Sequence, residues 1–129
     1  MESPRALSTM LAAGRVGAGS ALVLAPAAVG RRWMGAAAET PGGTVAVRAL
    51  GIRDLALGAL TVASLSGRLG SPATAATLVA AGAACDLVDG AASLGARRAL
   101  PPAGTAVGVF ALAAAAAGAA LVQQLRATA

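Results

Sequence analysis

From residue 103 to residue 125 the chain carries no charged side chain, only small and aliphatic residues relieved by Thr105, Phe110 and two terminal glutamines. An α-helix needs roughly 20 such residues to cross a hydrocarbon layer about 30 Å thick. A helix apolar on every side must sit inside a large protein or in an apolar solvent, and 129 residues make only one domain. The chain is therefore read as an integral membrane protein.

Composition agrees, with 57% hydrophobic and 12% charged residues, which leaves no polar face for a soluble bundle to show to water. Three further apolar runs precede the last one. The expected spans are 6–29, 44–66, 72–94 and 103–125, giving an all-α, integral membrane four-helix bundle in a single transmembrane domain. Short connections make consecutive spans antiparallel, so the topology is up-down-up-down with both termini on one side. Arg31, Arg32 and Trp33 follow the first span as an interface anchor, and residues 35–43 read as a polar linker with a turn at Pro41-Gly42-Gly43. Ser71-Pro72 reads as an N-cap followed by a first-turn proline. A cleavable signal peptide competes for the first span, but Arg15 and its glycines interrupt the apolar stretch that such a peptide needs.

Arg5, Arg68 and Arg126 fall on the terminal side and Arg31, Arg32, Arg97 and Arg98 on the other. That split barely engages the positive-inside rule, so orientation in the cell membrane stays open, and it also suits a dual-topology dimer. All ten basic residues are arginines and the net charge is +5. They are scattered singly or in pairs, with only Trp33 and Phe110 as aromatics, which argues against nucleic acid and for contact with lipid headgroups. The expected partners are the lipid bilayer and either a second copy of the chain or another membrane protein. The chain has no histidine or tyrosine and a single cysteine, Cys85. Disulfides, Cys/His metal sites and histidine-based triads are thereby excluded, and no cofactor is expected. Cys85 reads as a packing residue.

Six ionisable residues fall inside the expected spans: Arg15, Arg48, Arg53, Asp54, Asp86 and Asp89. Each costs roughly 2.5 to 3.5 kcal/mol at a bilayer centre on the insertion scale, so the second span needs partners on its neighbours. Levelling the ends of spans two and three puts Arg53 opposite Asp86 and Arg48 opposite Asp89. Asp54 points roughly 100° away from Arg53 and falls near the depth of Arg15, which makes Arg15 its expected partner. These six form the candidate site. On the functional reading the cluster binds or passes a proton, a small anion or a polar headgroup; on the alternative, the Arg–Asp pairs only fix helix packing in a structural or accessory subunit. Small residues, among them Gly14, Gly17, Gly51 and Gly58, are expected to let helix backbones approach closely.

Catalytic motifs fail. Asp86-Leu87-Val88-Asp89-Gly90 copies the start of the CDP-alcohol phosphotransferase signature, but no acid follows Asp89 to complete a metal cage. Gly14 to Gly19 followed by Ser20 has phosphate-loop spacing without the lysine or the preceding strand. Small multidrug exporters use a glutamate in their first helix, where this chain has Arg15, and small fluoride channels rely on phenylalanines and an asparagine that are absent here. An enzyme is the least supported class.

The stretch RALGIRDLALG at 48–58, preceded by a first span ending near Leu24-Ala25-Pro26 and followed by LVDG at 87–90, resembles the domain of unknown function 4267 family of small four-helix membrane proteins. The resemblance implies a four-helix membrane fold. It lends no activity or substrate, and its helix-two Arg and Asp and helix-three Asp match Arg48, Arg53, Asp54 and Asp89.

Overall fold

The computed structural model describes residues 3–127, which fold as helices with no strand among them. There are five α-helices: α1 (Pro4–Leu24), α2 (Pro26–Met34), α3 (Pro41–Leu65), α4 (Pro72–Gly95) and α5 (Pro102–Ala127), with a 3-10 helix, Gly35–Glu39, between α2 and α3. The all-α class is as expected, but the count of four helices is not.

The extra helix comes from Pro26, which lies inside the expected first span. Proline lacks the N–H that continues a helix and its ring crowds the preceding turn. The chain breaks at Ala25, with φ −133° and ψ 57°, and restarts as α2. Pro41 was expected in a turn, and instead it opens α3 three residues before the expected start at Thr44, with the Thr40 side chain accepting from Gly43 N–H. Every α-helix here begins on a proline, whose fixed φ suits a first turn and whose missing N–H would have had no partner there. Ser71 caps α4 as expected, in a reciprocal capping box with Thr74. The connection from Ser66 to Ser71 reverses the chain through Gly67 (φ 75°) and Gly70 (φ 69°), where side chains are disfavoured.

The long helices pair as α1 with α3 and α4 with α5, and the two pairs meet mainly between α3 and α4. Consecutive long helices run in opposite directions, so residues 3 and 127 lie at one end of the molecule. Glycine sets the α1–α3 spacing. A Cβ at Gly51 would lie 2.7 Å from Leu22 Cβ and 2.8 Å from Gly19 O, and one at Gly58 would lie 2.7 Å from Ala12 O. Gly51 and Gly58 thus serve the expected close approach, but Gly14 and Gly17 do not, having no atom within 4 Å of where a Cβ would stand. On α1 the close approach falls instead at Gly19, where a Cβ would lie 2.6 Å from Gly51 O. Gly51→Val should lower stability by about 1–3 kcal/mol or more, because the clash is with backbone that has no rotamer to change. Equilibrium unfolding of the purified variant checks this, with Gly14→Val as the control expected to be near neutral.

Aliphatic packing is concentrated at the end holding both termini, where Leu65, Ala75, Ala76, Val79, Leu121, Val122 and Leu125 form one buried cluster joined by Leu11 and Ala80. Arg5 ties this end together by donating to Leu65 O at 2.7 Å, satisfying a carbonyl that the end of α3 leaves without a helical partner. At the opposite end Ala38 and Val47 are fully covered beneath α2 and the 3-10 helix. The outer surface is apolar: Met10, Val45, Ile52, Leu60, Leu87, Val88, Val109 and Phe110 are all exposed. Patches of that extent are rare on soluble monomers.

Three helices, α1, α4 and α5, are long and apolar enough to cross a membrane. The 25 residues of α3 are sufficient in length, but Arg48, Arg53 and Asp54 sit within any membrane-length stretch of it. Whether α3 tolerates an apolar surround therefore depends on where those charges go.

Candidate functional site

Five of the six expected residues come together at mid-length of the helices. Arg15 on α1 donates from Nη1 to Asp54 Oδ1 on α3 at 3.2 Å and from Nη2 to Asp86 Oδ2 on α4 at 2.5 Å. Arg53 on α3 donates from Nε and Nη2 to Asp54 Oδ1 at 3.2 and 3.0 Å, and from Nη1 and Nη2 to Asp89 Oδ1 and Oδ2 at 3.2 and 2.5 Å. The result is one alternating chain, Asp89–Arg53–Asp54–Arg15–Asp86, that joins three helices and ends on a carboxylate of α4 at both sides.

Arg15 with Asp54 is the expected pair, and the other expected pairs are corrected. Arg53 meets Asp89 instead of Asp86, a difference of three residues or about 4.5 Å along the helix. Levelling helix ends across a connection fixes depth only if the connection is symmetric, and α3 in fact begins earlier than was assumed. Arg53 also reaches Asp54, its sequence neighbour, because a long forked side chain covers an angular gap that the two Cβ directions alone would forbid.

Arg48 is not in the cluster. It is exposed and donates from Nε to Val23 O at 3.3 Å. Val23 is in the last turn of α1, where Pro26 stops the helix and leaves carbonyls without backbone donors, so Arg48 works as a side-chain cap. The expected balance of three charges of each sign is therefore overturned. Two guanidiniums face three carboxylates, and the cluster carries one excess negative charge.

The groups are well covered, with side-chain exposures of 10% for Arg15, 15% for Asp54 and 14% for Asp86, rising to 26% for Asp89 and 31% for Arg53. Gly82 makes room for this: a Cβ there would stand 3.0 Å from Arg15 Nη2. Both oxygens of Asp89 accept from Arg53. Asp54 Oδ2 and Asp86 Oδ1 accept no hydrogen bond from any described residue.

Both of those carboxylates open onto a cleft. A cavity of about 350 Å³ has Asp54, Asp86 and Asp89 as its floor, Ala18, Ala21 and Leu22 of α1 and Val107, Phe110 and Ala111 of α5 as its walls, and Arg32 and Trp33 of α2 at its far end. A second cavity of about 380 Å³ adjoins it toward the terminal end, sharing Ala18, Asp54, Asp86 and Phe110 and adding Arg15. Trp33 fixes the far wall by donating from Nε1 to Ser93 Oγ at 3.3 Å. Each cavity falls at the small end of the range of about 300–1,000 Å³ usual for ligand pockets.

The sequence held a signal for this that the reading of Asp86 and Asp89 alone did not use. Gly82, Asp86, Asp89 and Ser93 are spaced four, three and four apart and form one stripe along α4. The roles of Arg32 and Phe110 carried no such signal, since they depend on how α2 and α5 approach. Cys85 is partly buried and a free thiol. Among the described residues no group of histidine, cysteine, aspartate and glutamate is arranged to hold a metal ion. No family model matches the chain, and no curated protein or solved structure matches it either.

Proposed function

We propose that the chain is a multi-pass membrane protein of the cell membrane, with α1, α3, α4 and α5 crossing the bilayer in alternating directions, and that it binds or passes a proton or a polar headgroup at its Arg/Asp cluster. The observation that carries this is the cluster's outlet: two carboxylates with unused oxygens face an apolar cleft instead of being sealed in the helix interface. The ion pairs also explain how α3 is tolerated as a span, since its three charges are each held by a neighbour or by backbone. A small anion fits less well, because the groups with free bonding capacity on the floor are acceptors. The residues at 48–58 and 87–90 favour placing the chain with the domain of unknown function 4267 family, which lends a membrane fold and no chemistry.

A structural subunit is the second reading, favoured by the continuity of the ion-pair chain across α1, α3 and α4. The two readings differ in whether the carboxylates can be reached. With the protein in lipid nanodiscs, dicyclohexylcarbodiimide, a lipid-soluble carboxyl reagent, should modify Asp54 or Asp86, while a water-soluble carbodiimide should modify Glu39, whose side chain is 48% exposed at the end of the molecule. Peptide mass spectrometry locates the adducts. Modification of Glu39 alone by both reagents would support the packing role and remove the case for a binding site.

A further inference from the structure

We infer that the cleft takes a protonated primary amine carried on a single apolar tail, a cationic amphiphile that enters from the lipid. The inference rests on the binding function proposed above and names its ligand class. Charge, hydrogen bonding and cavity shape converge on this ligand. The ion-pair chain has three carboxylates to two guanidiniums, and Arg32, the further cation lining the cavity, bonds to none of the three, which leaves the floor open to an ammonium. Asp54 Oδ2 and Asp86 Oδ1 each lack a donor, so the missing partner brings N–H groups. An ammonium supplies three donors from one centre, and charge-assisted bonds of this kind are the stronger class.

The walls define the remainder of the ligand. Ala18 and Ala21 of α1 and Ala111 of α5 are small, and with Leu22, Val107 and Phe110 they form an apolar slot beside the carboxylates. Ala18 and Phe110 are exposed on the outer surface, so the slot is reached from the side. At about 350 Å³ it suits a single tail laid beside the carboxylates. Arg32 stands at the far end, which places a cation there and directs an ammonium toward the carboxylate floor.

The test uses the full chain in phosphatidylcholine nanodiscs, with dodecylammonium as the probe and the rate of dicyclohexylcarbodiimide modification of Asp54 and Asp86 as the readout. Dodecylammonium should slow modification in a saturable way. Dodecanol, which has the tail without the charge, and dodecyltrimethylammonium, which has the charge without N–H donors, should protect far less. Asp86→Asn should raise the half-protecting concentration at Asp54 by about 10- to 100-fold, the loss of one charge-assisted hydrogen bond. Phe110→Ala removes an apolar wall without touching the ion pairs or closing the cleft, so it should weaken protection several-fold while the carboxylates stay reactive, and it keeps the test valid if Asp86→Asn folds poorly.

If the carboxylates react but dodecylammonium protects no better than the two controls, the amine assignment is overturned while the wider binding function stands. If neither carboxylate reacts, both fall together. Protection by phosphatidylethanolamine in the disc without added amine would make a lipid headgroup the source of the ammonium and overturn the single-tail assignment.

Discussion

Replacing Arg15 with methionine should cost about 3–5 kcal/mol of stability, the effect of leaving a covered charge without its partner. Among the described residues Arg15 is the sole cation bonded to Asp86, and it shares Asp54 with Arg53. Methionine fills much of the same volume but supplies no donor, so the cluster passes from one excess negative charge to two. A loss of that size is a large part of the roughly 5–15 kcal/mol that holds an ordinary domain together. Little folded protein should then accumulate in the membrane. Arg15→Lys should recover only part of the loss, because a point charge cannot bridge carboxylates on two different helices as the fork does. The informative companion is Arg15→Met with Asp86→Asn, which removes the abandoned charge together with its partner and should restore most of the folded yield. Equal yields for the wild type and the single variant would mean that the ion-pair chain does not hold the helices together.

The second large effect concerns which acid Arg53 needs. Arg53→Asp places a third and adjacent acid against Asp54 and Asp89, and Asp89→Arg sets two guanidiniums facing one another. Each single change should lower folded yield severely, at a cost again of about 3–5 kcal/mol. Exchanging the pair, Arg53→Asp with Asp89→Arg, restores one charge of each sign at one contact and should recover much of the loss. Arg53→Asp with Asp86→Arg should not, because position 86 is served by Arg15 on a different helix. Quantifying folded protein in the membrane for the wild type and these four variants separates the observed register from the one expected by levelling the helix ends. Rescue by the change at 86 instead of 89 would shift α4 by about one turn against α3.

Much of the architecture is written locally. The run at 103–125, the absence of any polar face, and Ser71-Pro72 as a helix start each report on their own segment, through hydropathy and capping that act within a few residues. Pro26 and Pro41 were equally legible as breaks and starts. Treating the first as the tail of a span and the second as a turn is what hid α2 and shortened α3. The candidate site was legible in its membership and less so in its pairing. An ionisable residue in an apolar run must find a partner, which picks out Arg15, Arg53, Asp54, Asp86 and Asp89 without any coordinates, and picks out Arg48 along with them although its partner is a backbone carbonyl.

By itself the sequence determined that this chain is helical, that its apolar runs are long enough to cross a membrane, and that the charged residues within them, Arg48 included, would have to find partners. Hydrophobicity, proline geometry and the cost of a lone charge are properties of residues, and they act wherever the chain goes. Only the tertiary structure decided that Arg48 leaves the cluster to cap α1, that Asp86 rather than Asp89 falls to Arg15, and that two carboxylates look into a cleft between α1 and α5. Those outcomes depend on helix register and on the glycine contacts that set it. A shift of three residues along α4 exchanges one acid for another while leaving every local pattern unchanged.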